Sequence, residues 1–376
     1  MRVPSFSAVS PSTTGWAPLV LLFGILPGSV SAQSGTIRQW QYVASSTGRG
    51  CELEMVEVGR PEPGPGEIQV RIHATSLNGR DRYALLGRCG PGGEGGQVAL
   101  SDGAGEVIAV GPGATRFQVG DRVVGTYFAE GFLEGRRPPG AMDFLRGGPN
   151  IGMLSEIVVD DERGFVRMPD YMTYEEAATL PIAAVTAYVA LFKYGRFEPN
   201  DYVLLEGTGG VSSFGLLFAA AAGGHPIITS SSDEKLERAR QLGAVGTVNY
   251  RQNPDWEEEV RELSGGIGVQ HVLDIGGEET RLKALEALGN GGHMALIGGL
   301  TGFGGAIPVG DIFNKDASVT AYHTGSRADF EEMNRFLEGH GIHPVIDRVF
   351  EFEEADEAFD FFENGDYMGK LVIRIQ

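Results

Sequence analysis

Residues 202–215, "YVLLEGTGGVSSFG", decide how the rest of the chain is read. An apolar run ends at Leu205, glycines follow at Gly207, Gly209 and Gly210, and a second apolar run covers Phe214 to Ala222. The first run has the length of a strand. The second is apolar on every side, as expected for a helix pressed against a covered sheet. The glycines between them make either a plain tight turn or a seat for phosphate. Glycine permits a positive φ and a close backbone approach, and a helix start offers unpaired N–H groups to an anion. Ser212 stands where the usual pattern has its last glycine, and in a chain with 57 glycines the pattern alone is weak. Its place at a strand-to-helix switch favours a phosphate cradle made by Gly207, Thr208, Gly209, Gly210, Val211 and Ser212.

Downstream, "PIITSS" leads to "DEKLERARQLG", "VGTVNY" to "DWEEEVRELSG", and "HVLDIGG" to "TRLKALEALG" before "HMALIGG". Strands alternating with helices at these lengths predict a doubly wound α/β domain, a parallel sheet covered on both faces. Upstream, from Thr36 to about Asp170, "EIQVRIHATSL", "GEVIAVG" and "SEIVVDD" are separated by Gly/Pro turns, which predicts a compact, mostly β domain. The expected boundaries are 1–35 for an extension, 36–170 for the β domain, 171–310 for the α/β domain and 311–376 for a mixed C-terminal segment ending in the strand "GKLVIRI".

Composition narrows the function classes. With 42% hydrophobic and 21% charged residues, the 376-residue chain is an ordinary folded protein with room for two cores. Its 30 Lys+Arg against 50 Asp+Glu give a net charge of −20, which repels nucleic acid and anionic membranes but not a phosphate held in a local site. Two cysteines, Cys51 and Cys89, exclude a disulfide framework and a four-thiolate zinc site, and two free thiols are expected. At the N-terminus an apolar run from Ala17 to Leu26 is too short to span a bilayer, yet Val30 and Ala32 suit a secretory cleavage before Gln33. A signal peptide and an unstructured extension both remain open, and either way this segment is excluded from the fold.

The strand after the cradle helix tells the coenzyme. A carboxylate at its end would hold the adenosine ribose of NAD and repel a 2′-phosphate. Here Ser230 and Ser231 stand at that end, with Lys235 one helical turn on, which suits NADPH better than NADH.

The segments "SLNGRDRY", "SDGAGEVIAVGPGATRFQVGDRVVG", "EEAATLPIAAVTAY", "GTGGVS", "TSSSDEKLERARQLGA" and "GKLVIRI" occur in an order that resembles the medium-chain dehydrogenase/reductases, in their zinc-free branch of quinone oxidoreductases and alcohol-dehydrogenase-like proteins. The resemblance runs from about Ile37 to Ile375. It implies a GroES-like β domain carrying most of the substrate site and completed by the C-terminal segment. A Rossmann domain is then inserted between these parts, with the active site in the cleft between the two. Zinc-dependent members hold their metal with a Cys, a His-Glu pair and a further Cys or Asp. The matching positions here are Asn78, Ser101-Asp102 and Ile182, and the four-cysteine structural lobe is missing, so no zinc is expected. His340 and His343 have ligand-like spacing but lie around an expected helix end.

Without a Lewis acid, hydride is best delivered to an acceptor that spreads negative charge itself, such as a quinone or an α,β-unsaturated carbonyl. Asn78 and Tyr83 are the candidate donors or orienters near the acceptor oxygen and Asp81 the residue holding their loop. A purely hydrogen-bonded turn of Asn78 and Asp81 is the alternative. Further cofactor candidates are Thr186, which matches a residue beside the nicotinamide in similar proteins, with Tyr250, Gly276, Gly298 and Lys370. Lys370 either reaches the cofactor or lies exposed. The Gly/Pro-rich stretch from Phe128 to Leu154 is the candidate for shaping substrate choice. The expected function is NADPH-dependent reduction of a quinone or enone. The alternatives are a metal-free alcohol or carbonyl oxidoreductase and a cofactor-binding protein with little catalysis. The expected partner is a small carbonyl or quinone molecule, with neither nucleic acid nor membrane, and the resemblance implies a homodimer or homotetramer. A cytoplasmic location is expected because NADPH is scarce elsewhere, with secretion the alternative if residues 1–32 act as a signal.

Overall fold

Six parallel strands stand where the strand–helix alternation places them. In space they run Gly246–Asn249, His225–Ser230, Tyr202–Leu205, Val269–Asp274, Leu288–Leu296 and Ser318–Ala321. Chain order reverses between Tyr202–Leu205 and Val269–Asp274, so the crevice at their carboxyl ends is the switch point where such sheets bind ligands. The last strand carries this sheet past residue 310. The computed structural model describes residues 35–45, 50–86 and 96–376, and from Gly35 onward they form one unit. The signal-like segment and Cys89 lie outside the described residues. No helix among the described residues is long and apolar enough to cross a membrane.

The helix Gly210–Ala221 buries Phe214, Leu216, Phe218 and Ala219 against the sheet. It can lie that close because Gly215 has no side chain: a Cβ there would meet Leu205 Cδ2 at 2.6 Å. The next helix, Asp233–Gln241, is amphipathic with Leu236 and Ala239 inward. Ser232 Oγ caps it by accepting from Lys235 N at 3.4 Å, and its acidic first and basic last turns complement the helix dipole.

The β domain is built on the strand Glu67–Ser76, which pairs antiparallel with Asp102–Val110, Ile157–Asp161 and the C-terminal strand Lys370–Arg374. Arg122–Gly125 and Phe165–Arg167 extend this sheet on one side and Ile346–Glu351 on the other. A second sheet, Cys51–Gly59, Thr36–Ala44 and Gln97–Val98, packs on it through Trp40, Tyr42, Ile68, Val70 and Ile72. The pairing Val372↔Ser76 matters most for function, because it sets Lys370 beside Leu77 and Asn78.

One expectation is corrected here. Cys51 is disulfide-bonded, and among the described residues no cysteine is free. A pair of reduced thiols was the reading that composition favoured, since two cysteines separated by 37 intervening residues carry no pairing signal in a single sequence.

Candidate active site

Gly207 adopts φ +72°, and Gly209 begins the helix with no side chain capping the first turn. The turn is held from below: Gly207 N–H donates to Thr229 Oγ1 at 3.2 Å, Ser212 Oγ to Glu206 O at 2.7 Å and Ser213 Oγ to Thr208 O at 3.2 Å. Gly369 N–H donates to Thr208 O at 2.8 Å, which ties the C-terminal segment to the cradle. A Cβ on Gly210 would lie 2.7 Å from Lys370 Cδ and 3.2 Å from Ala183 Cβ, so a side chain there is excluded from inside. A dinucleotide diphosphate fits such a helix start, with backbone amides rather than side chains as its donors.

Where the strands His225–Ser230 and Gly246–Asn249 end, Tyr250 N–H donates to Ser230 O at 3.1 Å and Ser232 N–H to Ser230 Oγ at 3.3 Å. The structure thus brings Ser230, Ser231 and Tyr250 together. Lys235 faces a shallow recess of about 100 Å³, also lined by Ser232, Arg238, Asp347 and Asp366. Its ammonium is paired with Asp366, and Arg238 lies 3.7 Å from Asp347. Thr186 is buried in a helical segment, its Oγ1 donating to His323 O at 3.4 Å.

Gly276 follows the strand Val269–Asp274 at the switch point and Gly298 follows the next strand, its N–H donating to Asp274 O at 2.9 Å; beside them lies a carboxyl pair that sequence reading missed. Glu206 Oε2 accepts from Ile275 N at 2.9 Å and Gly276 N at 2.8 Å. Asp274 Oδ1 accepts from Gly277 N at 3.0 Å and its Oδ2 from Arg281 Nε at 2.8 Å. Burial, then the neighbouring Asp274 charge, push the Glu206 carboxyl up to about 8. A charged residue closing each of the apolar runs "YVLLE" and "HVLD" is the signal that could have disclosed the pair.

Across the cleft, Asn78 begins the turn into the helix Gly79–Leu86. Asp81 Oδ2 accepts from Asn78 N at 2.8 Å and Asp81 N–H donates to Asn78 O at 2.9 Å, so Asp81 fastens the turn. Asp81 is fully buried. That burial, opposed by Arg80, pushes its carboxyl up to about 6. The Asn78 side chain is engaged at both ends: Nδ2 donates to Asp102 Oδ2 at 2.7 Å, and Oδ1 accepts from Lys370 Nζ at 2.7 Å. Lys370 also donates to Leu77 O, and its Nζ lies 3.6 Å from Asp102 Oδ2. Of the two readings of Lys370, reach to the cofactor or exposure, exposure is excluded: the residue is 3% exposed and turned under Asn78. Tyr83 spans the cleft, its OH donating to Gly299 O at 3.0 Å, with its ring 6.0 Å from that of Phe303.

Zinc does not fit this donor set. At the positions that hold it in metal-dependent relatives, the Asn78 oxygen faces an ammonium, Ser101 Oγ donates to Arg146 O at 2.8 Å, and Ile182 packs with the cluster of Tyr127, Phe128, Phe132, Ala141 and Leu145. Among the described residues no three His, Cys, Asp or Glu cluster as metal ligands. His340 and His343 pair instead with Phe336 O and Glu176.

A family model described as a zinc-binding dehydrogenase matches residues 210–339, and one described as an alcohol dehydrogenase GroES-like domain matches residues 64–170. A zinc-type alcohol dehydrogenase-like protein of Schizosaccharomyces pombe is 37% identical over 318 residues, covering 83% of this chain and 91% of that one. A quinone oxidoreductase of Pseudomonas aeruginosa is 32% identical, covering 84% and 85%. A solved structure from Sinorhizobium meliloti 1021, named as a candidate alcohol dehydrogenase, superposes with a TM-score of 0.82 at 37% identity, covering 91% of this chain and 99% of that one. Cradle, switch point and two-domain cleft agree with these matches: the chain is an NAD(P)-dependent oxidoreductase of the medium-chain dehydrogenase/reductase superfamily.

Proposed function

We propose that the protein reduces a quinone or an α,β-unsaturated carbonyl with NADPH and without zinc. The observation that carries this reading is the floor of the cleft, where an amide, an ammonium and a carboxylate replace a metal-ligand set. Bound NADPH supplies the hydride. On an enone, addition at the β-carbon moves the π electrons to oxygen, and one proton from solvent or a nearby group completes the reduction. In this reading the Asn78 Nδ2–H not used by Asp102 donates to that oxygen. The aromatic cluster around Ile182 supplies an apolar wall for a flat acceptor. NADPH oxidation measured side by side with a quinone, an enone and a simple ketone tests the proposal. Turnover of the ketone alone would make it a metal-free carbonyl reductase, and tight NADPH binding with no turnover a binding protein.

The coenzyme preference has its own test. A 2′-phosphate at Lys235 must displace Asp366, because the two are already paired. Lys235→Ala is expected to raise the Kd for NADPH by roughly tenfold, about 1.4 kcal/mol, and leave NADH unchanged, while Asp366→Asn tightens NADPH. Fluorescence titration with both coenzymes reads this. Equal losses for both would remove the phosphate role.

A second copy of the chain is the partner we propose for the outer strand Ser318–Ala321. Among the described residues its only strand neighbour is Leu288–Leu296, and the adjacent helix Val309–Asn314 buries none of its residues. Phe303, Val309 and Phe313 are 70–79% exposed there. An open edge beside bare apolar side chains invites pairing. Phe313→Glu is expected to shift the protein to monomer in sedimentation. An unchanged mass would place the interface elsewhere.

A further inference from the structure

The buried network under Asn78 holds more than a donor. An asparagine amide presents an oxygen and an NH2 group of nearly the same shape, so its orientation in a site is set by what it meets. Here one side is Lys370, which donates, and the other is the Asp102 carboxyl, which accepts; burial pushes Asp102 up, and Lys370 and the hydrogen bonds from Asn78 and Ser76 oppose that shift. Oδ1 faces Nζ at 2.7 Å and Nδ2 faces Oδ2 at 2.7 Å. Flipping the amide would set NH2 against ammonium and oxygen against carboxylate, losing both charge-assisted bonds at once. Ser76 Oγ lies 3.0 Å from the same Asp102 oxygen and from Ala178 O, which fixes the carboxylate in turn.

Lys370 also joins this floor to the coenzyme cradle. Its neighbour Gly369 is bonded to Thr208, and its stem passes under Gly210 so closely that a Cβ there would clash at 2.7 Å. The side chain thus starts at the cradle, runs beneath the helix start and ends on Asn78. The groups facing its ammonium are Asp102, the Asn78 oxygen and Leu77 O, with Asp81 and its partner Arg80 beyond. Burial lowers Lys370 from its ordinary range, and the Asp102 and Asp81 charges oppose this.

We propose that Lys370 is a positioning residue for the reduction: it locks the Asn78 amide in the one orientation that leaves an Nδ2–H for the acceptor oxygen, and it ties that orientation to the coenzyme cradle. This rests on reading Asn78 as the donor. Lys370 acts through a fixed amide and touches no substrate.

The test uses the full chain with Lys370→Met, which keeps the stem and removes the charge, and Lys370→Arg, which keeps the charge. Lys370→Met is expected to lower kcat for the enone or quinone about 30-fold or more, with KM for the acceptor and the Kd for NADPH within about threefold. Its rate should also become pH-dependent as Asp102 loses its cation, and Lys370→Arg should recover part of the rate. A second readout needs no turnover: in protein labelled at asparagine nitrogen, the Asn78 side-chain amide signals of the coenzyme-free form shift or split in Lys370→Met. If Lys370→Met does not fold, the double variant Lys370→Met/Asp102→Asn, neutral throughout, carries the same measurements. A kcat within twofold of the unmodified protein, or unmoved Asn78 amide signals, overturns the proposal. Should the unmodified protein reduce neither acceptor, the functional reading fails on its own, and the amide signals still decide the orientation role.

Discussion

Replacing Glu206 with glutamine is expected to stabilise the protein by roughly 2–4 kcal/mol at about pH 8.5 and by nothing measurable near pH 4. In the folded protein the Glu206 carboxyl, ordinarily at 4.5, is raised to about 8 by burial and by Asp274. Below 4.5 both folded and unfolded chains hold the proton, so stability does not change with pH there. Between 4.5 and about 8 the unfolded chain releases it and the folded chain does not, so stability falls as pH rises through that window. Glutamine keeps an oxygen for the Ile275 and Gly276 amides and offers Asp274 an N–H in place of the proton. Arg281 Nε already sits on Asp274 Oδ2 at 2.8 Å, which leaves Glu206 as the partner that carries the proton. The pair lies at the switch point beside the diphosphate seat, so the unmodified protein should also lose NADPH affinity above about pH 8, and Glu206→Gln should not. Urea midpoints and coenzyme titrations across pH 5 to 9 measure both effects. Parallel stability curves for the two proteins would show that Glu206 is ionised throughout.

The parallel sheet could be read because its signal is local. "YVLLEG", "PIITSS", "VGTVNY" and "HVLDIGG" each carry a whole strand and the turn after it, and hydrophobic period plus glycine placement fix such elements without distant contacts. The glycine turn between Leu205 and the helix Gly210–Ala221 was readable for the same reason. Lys370 was not, since its partners Leu77 and Asn78 are 293 and 292 positions away and only the pairing Val372↔Ser76 brings them together. The motif Asn78–Tyr83 makes Tyr83 a candidate donor or orienter for the acceptor. In the fold its hydroxyl reaches Gly299 of the other half, a contact that no local pattern contains. The disulfide at Cys51 belongs with these long-range facts.

Arg146→Met is expected to cost about 3–5 kcal/mol and to loosen the segment that walls the cleft. Arg146 is the largest fully buried side chain, inside a stretch whose glycines and prolines suggest a mobile loop. Its Nη1 lies 2.8 Å from Asp160 Oδ2, Nε donates to Thr126 O at 3.0 Å and Nη2 to Gly164 O at 3.1 Å, with the Phe165 ring 4.6 Å from the guanidinium. Room for it comes from absent side chains, since a Cβ on Gly164 would meet Nη2 at 2.8 Å and one on Gly125 would meet Nε at 3.2 Å. Methionine fills most of the volume but leaves Asp160 without its cation, the situation in which a broken buried pair is most costly, while Thr126 O keeps only the Ala129 N–H at 3.2 Å. Lysine should fare little better, because one ammonium cannot reproduce three directed bonds. Arg146 O also accepts from Arg80 and Ser101, and Leu145 packs with Phe128 and Ile182, so loosening this point disturbs the acceptor wall while the coenzyme cradle stays intact. The kinetic signature is a raised KM for the acceptor with an unchanged Kd for NADPH, beside a lower urea midpoint. A loss under about 1 kcal/mol would mean that the aromatic cluster alone holds the segment, and the guanidinium would then be a passenger in the core.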